Sequence, residues 1–90
     1  MVRMFVRHQV ADYGAWRAVY DGLDPARIEM GASGHEVFQA IDDPNNVTAW
    51  HDFSTQAAAD AFAHSPQLHD AMQQAGVQGA PDVWFTTSAA

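Results

Sequence analysis

The sequence predicts an α+β fold whose elements follow in the order β-α-β-β-α-β. Two patterns carry this prediction: residues that alternate between apolar and polar indicate strands, and apolar residues three to four positions apart indicate helices. A capping residue precedes each predicted helix. The chain has 90 residues, so we expect one domain spanning residues 1–90, with too little chain for a second core.

The first half of the chain is predicted to form a strand, a helix and a second strand. Residues 3–10 alternate and are rich in β-formers, and Asp12 is suited to cap the helix that follows. The helix has an apolar stripe that would lie on a sheet, formed by Tyr13, Trp16, Val19 or Tyr20, and Leu23. Asp24-Pro25 breaks this helix and starts a short turn, and the second strand is expected over residues 34–41.

A hairpin is predicted to join the second strand to the third. Residues 42–46, Asp-Asp-Pro-Asn-Asn, are dense in turn-forming chemistry, and the third strand is expected over residues 47–53. If residue 41 pairs with residue 47, one face of the hairpin carries His35, Val37, Gln39, Ile41, Val47, Ala49, His51 and Phe53. The opposite face then carries Glu36, Phe38, Ala40, Thr48, Trp50 and Asp52.

The last part of the chain is predicted to form an interrupted helix and a final strand. Ser54 or Thr55 caps the helix, Ser65-Pro66 interrupts it, and Gly76 ends it. The final strand is expected over residues 82–88. With right-handed crossovers this order gives the ferredoxin-like arrangement, a four-stranded antiparallel sheet with both helices on one face.

The apolar composition predicts a homodimer. Alanine accounts for 17 residues, and leucine, isoleucine, valine and phenylalanine together number only 17, so the core of large side chains is thin. The sheet face turned away from the helices would also carry large apolar groups, which a solvated face does not need. We therefore expect that face to pack on a second copy of the chain.

The charge and the N-terminal segment bear on partners and location. Four arginines and no lysine against eleven acids give a net charge of −7, which would repel nucleic acid and anionic membranes. The chain has no cysteine, which excludes disulfides, thiolate metal sites and cysteine nucleophiles. Arg3, Arg7 and His8 interrupt the N-terminal segment where a signal peptide is apolar, so we expect a cytoplasmic protein.

Several short segments carry a resemblance to a known family: Phe5 to Tyr13 leading into Trp16, Gly34-His35, Asp42-Asp43-Pro44-Asn45, Phe53, and Ser65-Pro66 through Ala75-Gly76-Val77 to Pro81. On these residues the chain resembles the dimeric α+β barrel superfamily, which includes small antibiotic-biosynthesis monooxygenases and polyketide-cyclase-like proteins. It looks most like the small cyclase-like branch. The resemblance implies that two sheets close into a barrel across a dimer, with the ligand between sheet and helices in each subunit.

Histidines are the first candidates for chemistry, because imidazole titrates near neutrality and both takes up and gives up protons. His8, His35 and His51 lie in predicted strands and would share one face, as a diagonal stripe with neighbours roughly 5 to 8 Å apart. We predict His51 and His8 as catalytic residues and His35 as a substrate contact, the alternative for each being a structural histidine. His64 and His69 are expected to be solvated.

A bound metal or redox cofactor is not predicted. Three histidines with an open position would suit zinc, but His8, His35 and His51 do not have the spacing of a recognised ligand motif. The sequence has no glycine-rich phosphate loop for a flavin or a nicotinamide, and no pattern that matches the haem-binding members of the superfamily. We therefore expect no cofactor and no metal.

Aromatic side chains are predicted to line an apolar pocket for a flat ligand, with core packing as the alternative for each of them. Besides Tyr13, which we predict to steady an enolate, these are Trp16, Tyr20, Phe53, Phe62 and Trp84. Arg7 and Arg17 are expected in salt bridges with Asp12, Asp52 or Asp21, the alternative being a carboxylate or enolate of the ligand.

Three functions are compatible with these residues. The leading hypothesis is a small cofactor-independent enzyme that uses histidine acid/base chemistry on an aromatic or polyketide-like compound, as a cyclase, isomerase or lyase. The resemblance implies a second, a cofactor-free monooxygenase in which a deprotonated phenolic substrate reacts with oxygen. The third is a module that binds a small apolar ligand without converting it.

Overall fold

The structure is a computed structural model in which residues 1–89 are described. Its strands are β1 (Val2–Val10), β2 (Gly34–Ala40), β3 (Asp43–Phe53) and β4 (Val77–Thr87). The helices of these residues are α1 (Tyr13–Gly22), α2 (Asp24–Glu29), α3 (Gln56–Ala63) and α4 (Pro66–Gln74). None of these helices is long and apolar enough to cross a membrane.

The four strands form an antiparallel sheet in the order β2-β3-β1-β4, which confirms the predicted ferredoxin-like fold. Each predicted helix is a pair of consecutive short helices. In the central strand β1 the buried side chains alternate, and they are Met4, Val6, His8 and Val10. Side chains of a strand alternate between faces, so one face of the sheet is covered and the other is open.

Side-chain caps begin α1, α3 and α4 where the sequence predicts them, whereas α2 begins without one. The Asp12 carboxylate accepts a hydrogen bond from the Ala15 N–H (2.9 Å) before α1. The Thr55 hydroxyl accepts one from the Ala58 N–H (3.1 Å) before α3, and Ser65 caps α4 with Pro66 in the first turn. Each cap satisfies one of the four N–H groups that a helix start leaves without a backbone partner.

The hairpin differs from the prediction in register but not in the identity of its faces. Val47 pairs with Gln39 rather than with residue 41, and the ladder closes with Ala40 opposite Asp43 after a register shift. The shift is by two residues, so the same side chains still share each face. The prediction placed Ile41 on the inner face, which is wrong because Ile41 lies fully exposed in the turn.

Strand β4 begins five residues earlier than predicted. Gly79 and Pro81 obscure it in the sequence, because both residues are unfavourable in strand interiors. In the structure they lie at an irregularity where the pairing shifts from Arg7 with Asp82 to Gln9 with Gln78. Gly79 has φ +73°, a conformation that glycine adopts without strain.

Gly76 and Gly22 form a matched pair for a stability measurement. Gly76 has φ +80° after α4, and a Cβ there would approach the Ala11 Cβ to 3.4 Å. Gly22 is the last residue of α1, and a Cβ there would meet nothing within 4 Å. We expect Gly76→Ala to lower the free energy of unfolding by about 1–2 kcal/mol and Gly22→Ala to raise it by about 0.5–1 kcal/mol. Urea denaturation measures both free energies of unfolding. The same change in both variants would contradict the different roles given to the two glycines.

The open face of the sheet, hereafter the outer face, carries aromatic side chains and one ion pair. Phe5 stacks on Trp84 with ring centroids 5.3 Å apart. The Arg3 guanidinium lies 3.7 Å from the Trp50 ring centroid and binds both carboxylate oxygens of Asp52, at 2.8 and 3.0 Å. None of the described helices covers this face.

Candidate functional site

A cavity of about 490 Å³ lies between the sheet and the helices. This volume is within the range of small-molecule sites in proteins. Its floor is formed by β1, β3 and β4 through Met4, Val6, His8, His51, Val77, Gly79, Pro81, Val83 and Phe85. Its roof and rim include Trp16, Val19, Tyr20, Leu23, Arg27, Phe62, Ala63, His64, Leu68, His69, Ala71, Met72, Gln73 and Ala75. Most of these side chains are apolar, so the few polar ones define where a ligand can form hydrogen bonds.

His51 is one of these polar groups and is 3% exposed. It lies on β3 opposite Met4, and its Nε2 is 2.9 Å from the Tyr20 hydroxyl. Nδ1 is buried and has no hydrogen-bond partner among the described residues. Burial, and next the positive charge of Arg27, lower the pKa of His51 to about 3, so the ring is neutral at ordinary pH.

Tyr20 belongs to the same buried group. Burial raises its pKa to about 12, and the charge of Arg27 opposes that rise only in part. The phenol is therefore protonated at ordinary pH. A single hydrogen bond joins its hydroxyl to Nε2 of His51. The Trp16 ring stacks on the Tyr20 ring at a centroid distance of 4.8 Å, which fixes the wall of the cavity beside the hydroxyl.

Arg27 is a site residue that the sequence reasoning missed. It is 2% exposed on α2, whereas its neighbour Ile28 is 64% exposed, the reverse of what hydropathy predicts. Its Nη1 donates to the Tyr20 carbonyl (2.6 Å), its Nη2 donates to Asp24 (3.1 Å), and its Nε has no partner among the described residues. Asp24 three residues earlier in a helix start is a sequence signal for the ion pair, but not for its burial.

His8 lies at the cavity wall on β1 and is 6% exposed. Neither ring nitrogen has a hydrogen-bond partner among the described residues, and burial lowers the pKa. Its partner on β3 is Val47, so His8 is four residues along β1 from the partner of His51, about 13 Å along the strand. The predicted close stripe is wrong for His8, because β1 runs antiparallel to β3 in a register that separates the two rings.

His35 and Tyr13 lie near the site without lining the cavity. The exposed ring of His35 stacks on His51 at a centroid distance of 6.2 Å and contacts Tyr20 edge-on at 5.8 Å. Tyr13 stacks on Trp16 at 5.8 Å. Neither predicted residue forms part of the cavity wall. Each would affect a ligand only indirectly, through the aromatic ring that it packs against.

Two predicted pocket residues are elsewhere in the fold, and these placements are corrections. Phe53 is fully buried in a core cluster with Met4, Ala59 and Phe62. Trp84 is on the outer face and 41% exposed, because β4 pairs Phe85 with Met4 and so directs Phe85 to the cavity. The run Val-Trp-Phe is apolar at every position, so its pattern does not indicate which of these side chains faces the cavity.

The remaining predicted residues are two histidines at the cavity rim and two arginines in polar contacts. His64 and His69 are exposed as predicted, and they also border the cavity, on either side of the Ser65 cap that begins α4. Arg17 binds Asp21 at 3.0 Å as predicted, whereas Arg7 binds Asn46 instead of an acid. No group of three or more metal-ligating side chains is present among residues 1–89.

Fold and cavity together define a ferredoxin-like domain with a buried histidine–tyrosine–arginine group facing an apolar pocket. No protein-family model and no curated protein matches the sequence significantly. Solved structures do match over nearly the whole chain, and the antibiotic biosynthesis monooxygenases are prominent among them. This confirms at the level of the fold the resemblance seen in the sequence.

Three of these structures illustrate the likeness. SnoaB, a cofactor-independent oxygenase from Streptomyces nogalater, has a TM-score of 0.80 and 13% identity, over 99% of this chain and 93% of its own. An antibiotic biosynthesis monooxygenase has a TM-score of 0.79 and 12% identity over 100% of both chains. Rv0793 from Mycobacterium tuberculosis has a TM-score of 0.74 and 19% identity, over 99% and 95%. At these identities the likeness establishes the fold alone.

Proposed function

We propose that the protein is a cofactor-independent oxygenase that converts a flat phenolic compound to a quinone. The observation that carries the proposal is the neutral, buried His51 with an unpartnered nitrogen beside Tyr20 and Arg27 at the wall of the cavity. The likeness to SnoaB supports oxygenation over the cyclase, isomerase or lyase chemistry that the sequence favoured, since that protein is a cofactor-independent oxygenase of the same fold.

The proposed reaction begins with loss of the phenolic proton. The Tyr20 hydroxyl takes up this proton as it passes its own to Nε2 of His51, 2.9 Å away. The phenolate charge develops beside Arg27, whose buried guanidinium stabilises it in a medium with little water. The same negative charge raises the pKa of His51 above its low value of about 3, so the protonated imidazole is stable while substrate is bound.

Dissolved oxygen then reacts with the electron-rich phenolate. A carbon–oxygen bond forms at the ring carbon opposite the phenolate oxygen, the carbon–hydrogen bond at that carbon breaks, and the oxygen–oxygen bond breaks. One oxygen atom becomes the new carbonyl, and the other leaves as water with the phenolic and ring hydrogens. The substrate supplies all the electrons that oxygen takes up, so no external reductant is needed.

Oxygen dependence tests this proposal against its rivals. With anthrone, whose enol is a three-ring phenol, we expect one oxygen molecule consumed for each anthraquinone formed, above the rate without protein. An oxygen electrode and absorbance spectroscopy measure the two quantities. Turnover of the compound at the same rate under strict anaerobiosis would support the cyclase or isomerase hypothesis instead, and recovery of intact compound would support simple binding.

We propose further that the protein is a cytoplasmic homodimer joined through the outer face. That face has aromatic rings in contact with solvent, and Phe38 and Trp84 are 44% and 41% exposed. Exposed aromatic groups of this kind are enriched at protein interfaces. A second outer face would cover them and supplement the thin core.

A charge on the outer face is expected to separate the subunits. Trp84→Arg places a guanidinium among stacked aromatic rings and should weaken the dimer by a factor of ~30 or more. Ile28→Arg is the matched control, because Ile28 is exposed on α2, away from that face. Sedimentation velocity over a range of concentrations measures both. A wild-type monomer at micromolar concentration, or an unaffected Trp84→Arg dimer, would contradict the proposal.

A further inference from the structure

His8 is a buried polar group that the proposed proton transfer does not use. Both ring nitrogens lack a hydrogen-bond partner among the described residues, and the side chain lines the cavity. Buried polar atoms in native proteins are nearly always hydrogen-bonded, so each exception needs a reason. The Trp16 ring meets the imidazole edge-on at a centroid distance of 5.6 Å, which supplies packing but no hydrogen bond.

The neighbouring strand β4 bulges opposite His8. Arg7 pairs with Asp82 and Gln9 pairs with Gln78, so β4 has three residues where β1 has only His8. Such bulges bend a strand and often lie next to binding sites. A Cβ at Gly79, within the bulge, would meet nothing within 4 Å, and both Gly79 and Pro81 line the cavity. The irregularity therefore leaves the one histidine of β1 without a ladder partner on β4.

We propose that His8 is a second anchor of the cavity, which binds a hydroxyl or carbonyl oxygen at the end of the substrate remote from His51. The inference rests on the proposed function and narrows its substrate class to elongated fused-ring compounds with an oxygen substituent at each end. Rotation of the imidazole about its Cβ–Cγ bond presents one nitrogen to the ligand.

The chemistry of the wall favours an uncharged group at this anchor. A neutral imidazole has one N–H donor and one acceptor nitrogen, which suits a hydroxyl or a ketone. Burial lowers the pKa of His8, so the ring has no positive charge with which to attract a carboxylate. The separation of His8 from the partner of His51, four residues of β1, is about 13 Å along the strand. Three fused rings with terminal oxygens suit that span, and a single ring does not.

Binding of two quinones tests the anchor without any turnover. We would titrate 2,6-dihydroxyanthraquinone and 2-hydroxyanthraquinone into the wild type, His8→Phe and Gln74→Phe by isothermal calorimetry. The wild type should bind the dihydroxy compound about threefold to tenfold more tightly, the worth of one neutral hydrogen bond. His8→Phe should abolish this preference and keep an apolar ring against Trp16. Gln74→Phe places the same ring at an exposed position of α4 that does not line the cavity, and it should retain the preference.

The outcomes separate the anchor from the function on which it depends. A preference that persists in folded His8→Phe would overturn the anchor and leave the oxygenase proposal intact. If the wild type bound neither quinone, the aromatic pocket would be refuted and the anchor with it. Should His8→Phe fail to fold, nitrogen NMR of the wild type decides: the dihydroxy compound should shift the His8 ring signals more than the monohydroxy compound, and equal shifts would overturn the anchor.

Discussion

Replacement of His51 by glutamine is expected to lower the rate of quinone formation by a factor of ~10²–10⁴, the usual contribution of a general base. Glutamine has a similar size and retains a hydrogen bond to the Tyr20 hydroxyl, which is 2.9 Å from His51 in the wild type. It cannot take up the phenolic proton. Measurement of single-turnover rates with anthrone at saturating oxygen isolates this step from product release.

The control for this variant is Asp70→Asn, an acid-to-amide exchange at an exposed position of α4 that does not line the cavity. It should keep the wild-type rate, and both variants should bind anthraquinone with nearly the wild-type affinity. A loss of rate with unchanged binding is the pattern of a group that acts in the transition state rather than in substrate binding. A His51→Gln variant as fast as the wild type would refute proton transfer to His51.

The fold was predictable because its local signals agree with one another. Asp12, Thr55 and Ser65 cap helices where the sequence places them, and the strands alternate between apolar and polar residues. The faces of the hairpin were predicted correctly although its register was wrong by two residues. Side chains of a strand alternate with a period of two, so such a shift leaves each on the same face. The start of β4 was missed because Gly79 and Pro81 are turn residues that here serve a bulge.

The candidate site was predictable only where residue type and strand parity were sufficient. His51 and His8 reach the cavity because both lie on the inner face of the sheet. Arg27 was missed since its burial depends on a contact with the Tyr20 carbonyl, which no local pattern encodes. Phe53 and Trp84 were misplaced because the sequence does not distinguish an aromatic residue of the core from one in a pocket or on a surface.

Acid should destabilise the protein through its buried histidines. The pKa of His51 is lowered to about 3 in the fold, whereas an unfolded histidine has a pKa of about 6.5. Between these values the unfolded chain binds more protons, so stability is complete above about pH 6.5 and falls as the pH falls. His51 alone should cost about 1.4 kcal/mol per pH unit, or about 3 kcal/mol by pH 4.5. The lowered pKa of His8 acts in the same direction.

Urea unfolding of the wild type and His51→Gln between pH 7 and pH 4.5 measures this contribution at one fixed protein concentration. Below about pH 6.5 the variant should lose about 1.4 kcal/mol less per pH unit than the wild type. Asp52 does not confound the comparison, because its pKa is lowered by the hydrogen bonds from Arg3 and an aspartate matters only at more acid pH. Equal slopes would mean that His51 takes up its proton as readily in the fold as in the unfolded chain. The ring would then be charged at moderately acid pH, and the neutral acceptor that the proposed reaction requires would be absent there.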